Sequence, residues 1–482
     1  MRRIAAASLA LALFCGCAVG PNYQQPPVNA PDHFRDVPGP PEPAASLADL
    51  PWWEVFADPS LKALVDEAVG TNYDVRIAAW RVEQARARAG IARSEFFPQI
   101  ETGGGWQRQQ NSTFVAPGSH ATFNSVSANI NFGWELDLWG RIRRLNEAAK
   151  AEYLASEEAR RGVLISLVAE VARNYFTLRE LDEELVIAKN TVAAFQENVD
   201  LFERKLQEGA ASALETSYST AALSQVAAQV PELERRIEAT ENTLSLLLAR
   251  NPSSIVRGPE LAAQSLPPEI PAGVPSDLLQ RRPDVREAEQ QLVAANARIG
   301  VAVANFFPTI SLTGLFGAVS PQVSILFPAG QVWSFAAGLV APVFQGGRLH
   351  SEYDVAYAQW AESKLFYEQT VTGAFAETTT VLYAREKLAA SVAELEHTVG
   401  DYQEMVRLTN LRYSSGLSSY FEVIYAMQQL YPAEIALARV RLDLILDYVD
   451  IYRALGGGWT IPGPNWESPT TASTWVNPVE HP

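Results

Sequence analysis

The sequence predicts a mixed α and β membrane protein, in which several chains share a β-barrel set on a long coiled coil. Three observations carry that prediction. The chain is an internal duplication, each copy holds two strand-like segments about 10 residues long, and each copy holds a proline-free helical stretch of about 67 residues.

The duplication is legible by eye. NYDVRIAAWRVEQARARAGIARSEFFPQIETGG from Asn72 aligns with RPDVREAEQQLVAANARIGVAVANFFPTISLTG from Arg282, an offset of 210 residues. Asp74-Val75-Arg76 falls on Asp284-Val285-Arg286, and Phe96-Phe97-Pro98 on Phe306-Phe307-Pro308. Beyond these motifs the offset becomes 207: Gly140-Arg141 matches Gly347-Arg348, Glu170 matches Glu377, and Gly209-x-x-Ser212 matches Gly416-x-x-Ser419. An offset sustained over so long a span marks two copies of one unit.

Each copy repeats one order of elements. A helical stretch comes first, Leu61 to Phe96 and Ser276 to Asn305, and two strand-like segments follow. The long helix is next, Arg141 to Glu208 and Arg348 to Ser415, then a short Gly-containing turn, then a helix over Ser212 to Arg250 and Leu417 to Leu455. In the first long helix Leu164, Val171, Leu178, Leu185, Val192, Val199 and Leu206 recur every seven residues. Leu167, Leu181, Ala188, Phe195 and Phe202 fill positions three later, so the pattern is a coiled-coil seam. The second long helix keeps the pattern more loosely through Leu388, Val392, Leu395, Val399, Tyr402, Val406 and Tyr413, with Thr378 and Arg385 breaking it earlier. At 1.5 Å per residue each long helix spans roughly 100 Å, about the length of two shorter helices end to end. An elongated bundle with joints partway along is expected. Asn251 to Pro275 and both chain ends would form a belt around the joints.

The opening MRRIAAASLALALFCGC reads as an export signal. Arg2 and Arg3 make a positive start, Ile4 to Phe14 make an apolar run too short to span a bilayer, and Gly16 supplies a small residue before a cut. F-C-G-C resembles a bacterial lipobox, with Phe14 where Leu is usual, so Cys17 is the expected lipid anchor. An ordinary secreted chain with a stray cysteine pair is the alternative. By resemblance to lipoprotein sorting, Ala18 after the cysteine, rather than Asp, favours the outer membrane. The expected divisions are a signal peptide (1–16), a lipidated extended arm (17–60), a first repeat (61–275), a second repeat (276–455) and a Pro-, Gly- and Trp-rich tail (456–482).

The formal charge of −17 argues against nucleic acid or an anionic membrane surface as main partner, and suits a surface or lumen that attracts cations. With no cysteine after Cys17, disulfides and Cys-based metal sites are excluded from the mature chain. No run of 18 apolar residues follows the signal, so insertion in a membrane falls to strands. The clearest period-2 signal is NSVSANINFGWELDLWG. Val126, Ala128, Ile130, Phe132, Trp134, Leu136 and Leu138 point one way, and Ser125, Ser127, Asn129, Asn131, Gly133, Glu135 and Asp137 the other. Thr309 to Ala318 and Trp333 to Val343 alternate too, and Ile100 to Trp106 is weaker and Gly-rich. Four strands are too few to close a barrel, so several chains must contribute. Trp106, Trp134, Trp139 and Trp333 would suit interfacial girdles. A soluble antiparallel sheet with one wet face is the competing reading.

With these segments in hand the chain resembles the TolC-type outer-membrane factors, specifically the lipoprotein branch typified by OprM and NodT. The resemblance runs nearly the whole length, on Cys17-AVGPNY, Gln24-Gln25-Pro26, Pro51-Trp52-Trp53, LDLWGRIRR from Leu136, RRPDVREAE from Arg281, FFPTISL from Phe306 and QGGR from Gln345. It implies a homotrimer, with three chains of four strands forming a 12-stranded transmembrane β-barrel on a periplasmic α-helical barrel. It also implies an exit duct for drugs or other small molecules, docked through a periplasmic adaptor to an inner-membrane RND transporter. By the same resemblance the tips Gly209, Ala210, Ser212 and Gly416, Leu417, Ser419 contact the adaptor. Independently, each glycine reads as a left-handed turn residue and each serine as a helix cap. Tyr413 matches a family tyrosine at the constriction, and Phe421 sits where a bulky apolar residue narrows the pore. Tyr425 stands where relatives often place an aspartate, and Gln428 where an arginine is common. A cation-binding carboxylate ring is therefore in doubt, with Glu422 the nearest acid, and an apolar and aromatic plug is expected. The alternative is that Phe421, Glu422 and Tyr425 merely pack in the coiled coil.

Enzyme signatures are weak: five histidines are scattered singly, without HExxH, a Walker-type loop or a GxSxG elbow. No enzyme, metal or cofactor is expected. Two other functions stay open: the outer-membrane channel of a type I protein-secretion system, and a periplasmic coiled-coil lipoprotein scaffold.

Overall fold

The computed structural model describes residues 18–31, 34–35, 56–110, 122–264 and 278–457. Cys17, the Pro51-Trp52-Trp53 motif and the tail beyond 457 lie outside the described residues. The chain divides into two units: a strand unit of residues 1–27, 81–157 and 287–369, and a helical unit of residues 28–80, 158–286 and 370–482.

The first repeat holds α1 (Pro59–Thr71), α2 (Tyr73–Ser94), β1 (Gln99–Gln110), β2 (Thr122–Leu136), α3 (Arg141–Gln207), α4 (Ala213–Ala227) and α5 (Gln229–Leu247). The second holds α6 (Leu278–Arg281), α7 (Pro283–Ala304), β3 (Thr309–Ser320), α8 (Leu326–Ala329), β4 (Gln331–Val340), α9 (Arg348–Ser414) and α10 (Tyr420–Ala454). Both long helices are unbroken over 67 residues. No described helix is long and apolar enough to cross a membrane.

Three stretches expected as single helices are broken, each at an identifiable residue. Asn72 interrupts the first: its Oδ1 accepts from the backbone of Asp74 at 2.8 Å and Val75 at 3.2 Å, and its Nδ2 donates to Leu247 O at 2.8 Å. An asparagine that caps one helix while tying it to another interrupts the helix at a single residue and makes three hydrogen bonds. Pro283 separates α6 from α7, since the residue before a proline is driven out of the helical region. Ala228 separates α4 from α5, which places Pro231 in a first turn, where its missing N–H matters least. In α10, by contrast, Pro432 sits within a continuous helix.

In the helical unit α1 starts at Asp58, whose Oδ1 accepts from Ser60 N at 2.8 Å and Leu61 N at 3.2 Å, while its Oδ2 accepts from Tyr175 OH at 2.6 Å. That buried pair sits in the main core, among Phe56, Leu61, Val171, Phe176, Leu248 and Tyr448. Burial and the adjacent Asp58 carboxylate push the Tyr175 hydroxyl up, so it remains a donor.

In the strand unit one antiparallel sheet runs β1-β2-β3-β4 in sequence order, so the hairpins of the two repeats meet at β2–β3. Strand bounds differ somewhat from the alternation. Leu138 falls beyond β2, because the chain turns after Leu136 toward α3, and β4 stops at Val340, just before Pro342. Gly-rich β1 reaches 12 residues because it pairs with β2 along its whole length.

Candidate functional site

The register makes one face of the sheet continuous. Trp106 lies opposite Val126, Ile100 opposite Phe132, Phe132 opposite Gly314, and Ile130 opposite Phe316. Phe316 in turn lies opposite Trp333, Leu312 opposite Ala337, and Ile310 opposite Leu339. Directly opposed residues share a face, so these apolar side chains form a single surface. Much of it is exposed in the chain: Ile100, Trp106, Phe316, Trp333, Phe335 and Leu339 are each about two-thirds or more accessible. The opposite face carries Glu101, Ser125, Ser127, Asn129, Asn131 and Ser311. Among the described residues β1 and β4 are each paired on one side only. The four expected girdle tryptophans separate into two levels. Trp134 donates to Phe96 O at 3.0 Å, and Trp139 donates to Pro308 O at 2.7 Å and stacks on Phe307, both at the helix end of the sheet. Trp106 and Trp333 lie toward the hairpin ends.

The arm that follows Cys17 is fastened at the helix end of the same sheet. Val19 N donates to Trp139 O at 2.9 Å, Arg144 donates to Asn22 Oδ1 at 2.8 Å, and Asn296 donates to Pro21 O at 3.0 Å. Gly140 has φ +83°, and a Cβ there would lie 2.6 Å from that of Ala18. Gly20 (φ +89°) packs on Gly300, where a Cβ on Gly20 would lie 2.5 Å from Gly300 Cα, and a Cβ on Gly300 would lie 2.8 Å from Arg144 Cγ. Cys17 therefore adjoins a residue anchored between β2 and α3.

The helical unit carries both expected tips. Gly209 (φ +73°) and Gly416 (φ +70°) make the left-handed turns, and Ala210 and Leu417 beside them are exposed. Ser212 caps α4 through a reciprocal capping box with Glu215. Ser419 occupies the equivalent position before α10 but makes no side-chain cap bond. The expectation of two serine caps is thus corrected: the extended residue is present at both tips, and the hydroxyl bonds its helix at one.

The four expected constriction residues do not gather into one cluster within the chain. Tyr413 turns inward, with ring centroids 6.5 Å from Phe202 and 5.1 Å from Tyr420, and Lys205 Nζ donates to its hydroxyl at 2.5 Å. Phe421 and Tyr425, one turn apart, form an exposed stripe, with Tyr218 edge-on to Phe421 at 6.1 Å. Glu422 lies 3.7 Å from Arg412 Nε. Phe202, Lys205 and Tyr420 complete the aromatic knot around Tyr413. The seam patterns marked Phe202 and Tyr413 as core but gave no sign that they meet, because they lie on different helices, and Tyr420 on a third.

A second cluster was not anticipated. Glu180 and Glu184, one turn apart on α3, are both buried; Arg439 Nε reaches Glu184 at 2.7 Å and Arg236 Nη1 reaches it at 3.4 Å. Burial and the neighbouring Glu184 push the Glu180 carboxyl up to about 8, against the pull of the two arginines. Glu184, Arg236 and Arg439 line a cavity of about 720 Å³, with Phe195, Tyr431 and Pro432 among its walls. The i, i+4 glutamates flanking Leu181 were the available signal.

The pattern of the outer membrane efflux protein family matches residues 64–250 and 274–457, one match in each repeat. The chain belongs to the outer membrane efflux protein family. It is 35% identical over 469 residues to the toluene efflux pump outer membrane protein TtgC of Pseudomonas putida, covering 94% of this chain and 95% of that one. It is 31% identical over 454 residues to the probable outer membrane lipoprotein SilC of Salmonella typhimurium, covering 93% and 97%. The solved outer-membrane channel OprN superposes with a TM-score of 0.86 at 28% identity, over 92% of this chain and all of that one. This outer-membrane efflux protein thus has the fold of the solved channels, long helices carrying a sheet that belongs to a transmembrane barrel, and it resides in the outer membrane.

Proposed function

We propose that three copies close a 12-stranded barrel, and that this trimer is the passive exit duct of a tripartite RND-type efflux system, receiving small molecules through a periplasmic adaptor. The observation that carries the reading is the sheet: one continuous apolar face, and two outer strands each paired on one side only. Unpaired strand edges are not tolerated in hydrocarbon, so an open four-stranded sheet becomes a membrane structure only by joining others. The level of Trp134 and that of Trp106, opposite Val126, are eight residues apart along β2, roughly 27 Å. At a strand tilt of about 40° this is roughly 20 Å along the barrel axis, close to the apolar band of about 25 Å in outer-membrane barrels.

The same reading places a lipid on Cys17, supported by the fastening of Ala18 at the helix end of the sheet. It assigns the exposed Phe421 and Tyr425 stripe, with Glu422, to the constriction, and Tyr413 to the knot that holds that segment. Gly209, Ala210, Ser212, Gly416, Leu417 and Ser419 are assigned to adaptor contact, supported by the exposure of both turns. A pore narrowed by aromatic rings rather than a carboxylate ring restricts by size and excludes cations little.

The test is electron microscopy of the detergent-purified full-length protein, alongside uptake of a fluorescent pump substrate by cells lacking the gene. A three-fold particle with a barrel in the micelle, and raised accumulation in the deletion strain, are expected. A monomer, or a rod without a barrel, overturns the duct.

A further inference from the structure

The connection between β3 and β4, PQVSILFPAG from Pro321 to Gly330, is ordered rather than a bare turn. It forms a 3₁₀ turn over Val323–Ile325 and runs directly into α8. Ser320 Oγ donates to Gln322 O, Gly330 N donates to Leu326 O at 3.0 Å, and Val319 N donates to Gly330 O at 2.7 Å. A Cβ at Gly330 would lie 2.5 Å from Leu326 O and 2.7 Å from Val319 O, so only glycine permits this closure.

Burial at the end of β3 shows which way the connection folds. Ala318 is 2% exposed, Val319 45% and Ser320 6%. The covered positions are the even ones, on the face that carries Ile310, Leu312 and Phe316. The connection therefore lies over the apolar face of the sheet, seated through Leu326, which is 5% exposed. Its remaining apolar side chains turn away from the sheet: Val323 is 72% exposed, Ile325 41% and Phe327 70%. No ionisable side chain occurs anywhere from Thr309 to Val340.

We propose that this connection is a membrane anchor, which seats Val323, Ile325 and Phe327 among the acyl chains of the outer leaflet at the external rim of the barrel. The inference rests on the barrel reading above, because it takes the apolar face to be the one that meets lipid. Three observations carry it further. The apolar side chains are exposed on a connection that lies over the face of Phe316 and Trp333, the segment is uncharged, and the short helix is tied down, so little ordering is left to oppose insertion. A rim loop bathed in water would instead bury these side chains or carry charge.

The experiment uses full-length protein reconstituted in phosphatidylcholine vesicles, with an environment-sensitive fluorophore on Phe327→Cys. Phe335→Cys on the apolar face of β4 and Leu417→Cys at a helical tip serve as references, and the wild-type chain gives the labelling background. Nitroxide-labelled lipid is expected to quench the 327 probe as strongly as the 335 probe, with iodide reaching only the 417 probe. If lipid quenches 335 while iodide quenches 327, the connection stands in water and the anchor is refuted with the barrel intact. If neither quencher reaches 327, the connection is buried against another copy, and the anchor is again refuted. If iodide rather than lipid quenches 335, the barrel reading itself fails.

Discussion

The two repeats share an order of elements but bury their matching residues differently. In the helical unit α3 buries Val171, Tyr175, Leu178, Leu181, Ala188, Phe195, Val199 and Phe202. The positions 207 residues later in α9 are Thr378, Leu382, Arg385, Leu388, Leu395, Tyr402, Val406 and Thr409, of which only Thr378 and Leu382 are buried in the single chain. The carboxylates Glu180 and Glu184 become exposed Lys387 and Ser391. Gly140 is roofed by Ala18, whereas nothing lies within 4 Å of a Cβ built on Gly347. One copy completes its core within the chain; the other leaves a helix whose seam is mostly only half-buried. A duplicated element can thus keep its backbone while its partners decide what it buries.

The sharpest break in this comparison is expected at the aromatic knot. Phe202→Ala empties a fully buried ring position and should cost about 3–5 kcal/mol locally, whereas Thr409→Ala at the matching position should stay within about 1 kcal/mol. Amide exchange along α3 and α9 reads the two separately, and equal effects would erase the distinction.

At the glycines, left-handed strain of about 1–2 kcal/mol applies to both Gly140→Ala and Gly347→Ala. Only at Gly140 does the new methyl meet the arm, for a further penalty of about 1–3 kcal/mol. Limited proteolysis should release the arm from the first variant and leave the second intact.

The buried carboxylates Glu180 and Glu184 set a pH slope that the matching positions, Lys387 and Ser391, lack. Glu180 titrates near 8 in the folded protein against an ordinary 4.5, so between those values the folded state holds a proton that the unfolded chain has lost. Stability therefore falls as pH rises through that window. Glu180→Gln should flatten the melting temperature across about pH 5 to 8, leaving a remainder from Asp447, whose carboxyl burial pushes up to about 7. Lys387→Gln should leave the slope alone.

The smallest contrast lies at the caps. Ser212→Ala should cost about 1 kcal/mol of helix-end stability, and Ser419→Ala no more than about 0.5 kcal/mol, read by exchange of the first-turn amides of α4 and α10. A loss at Ser419 equal to that at Ser212 would restore the expected symmetry of the tips.

Much of this molecule was legible before any coordinates. The repeat, both long helices, the four strands, the left-handed glycines at Gly209 and Gly416 and the outer-membrane family all follow from period and motif. Those are local or self-similar properties: a heptad seam, a two-residue alternation and a matched offset are written along the chain itself. Tertiary structure decided what depends on residues far apart. Asn72 breaks a helix because its amide finds Leu247 O, Ser419 forgoes the cap that Ser212 makes, and Tyr413 turns away from Phe421 toward Phe202 and Lys205. Glu180 and Glu184 are held in a buried site by arginines from two other helices, and the β3–β4 connection folds onto one face of its sheet. Hydrophobic period states that a residue will be buried; which partner buries it is a three-dimensional fact, because burial is settled by area removed from water and not by position in the chain.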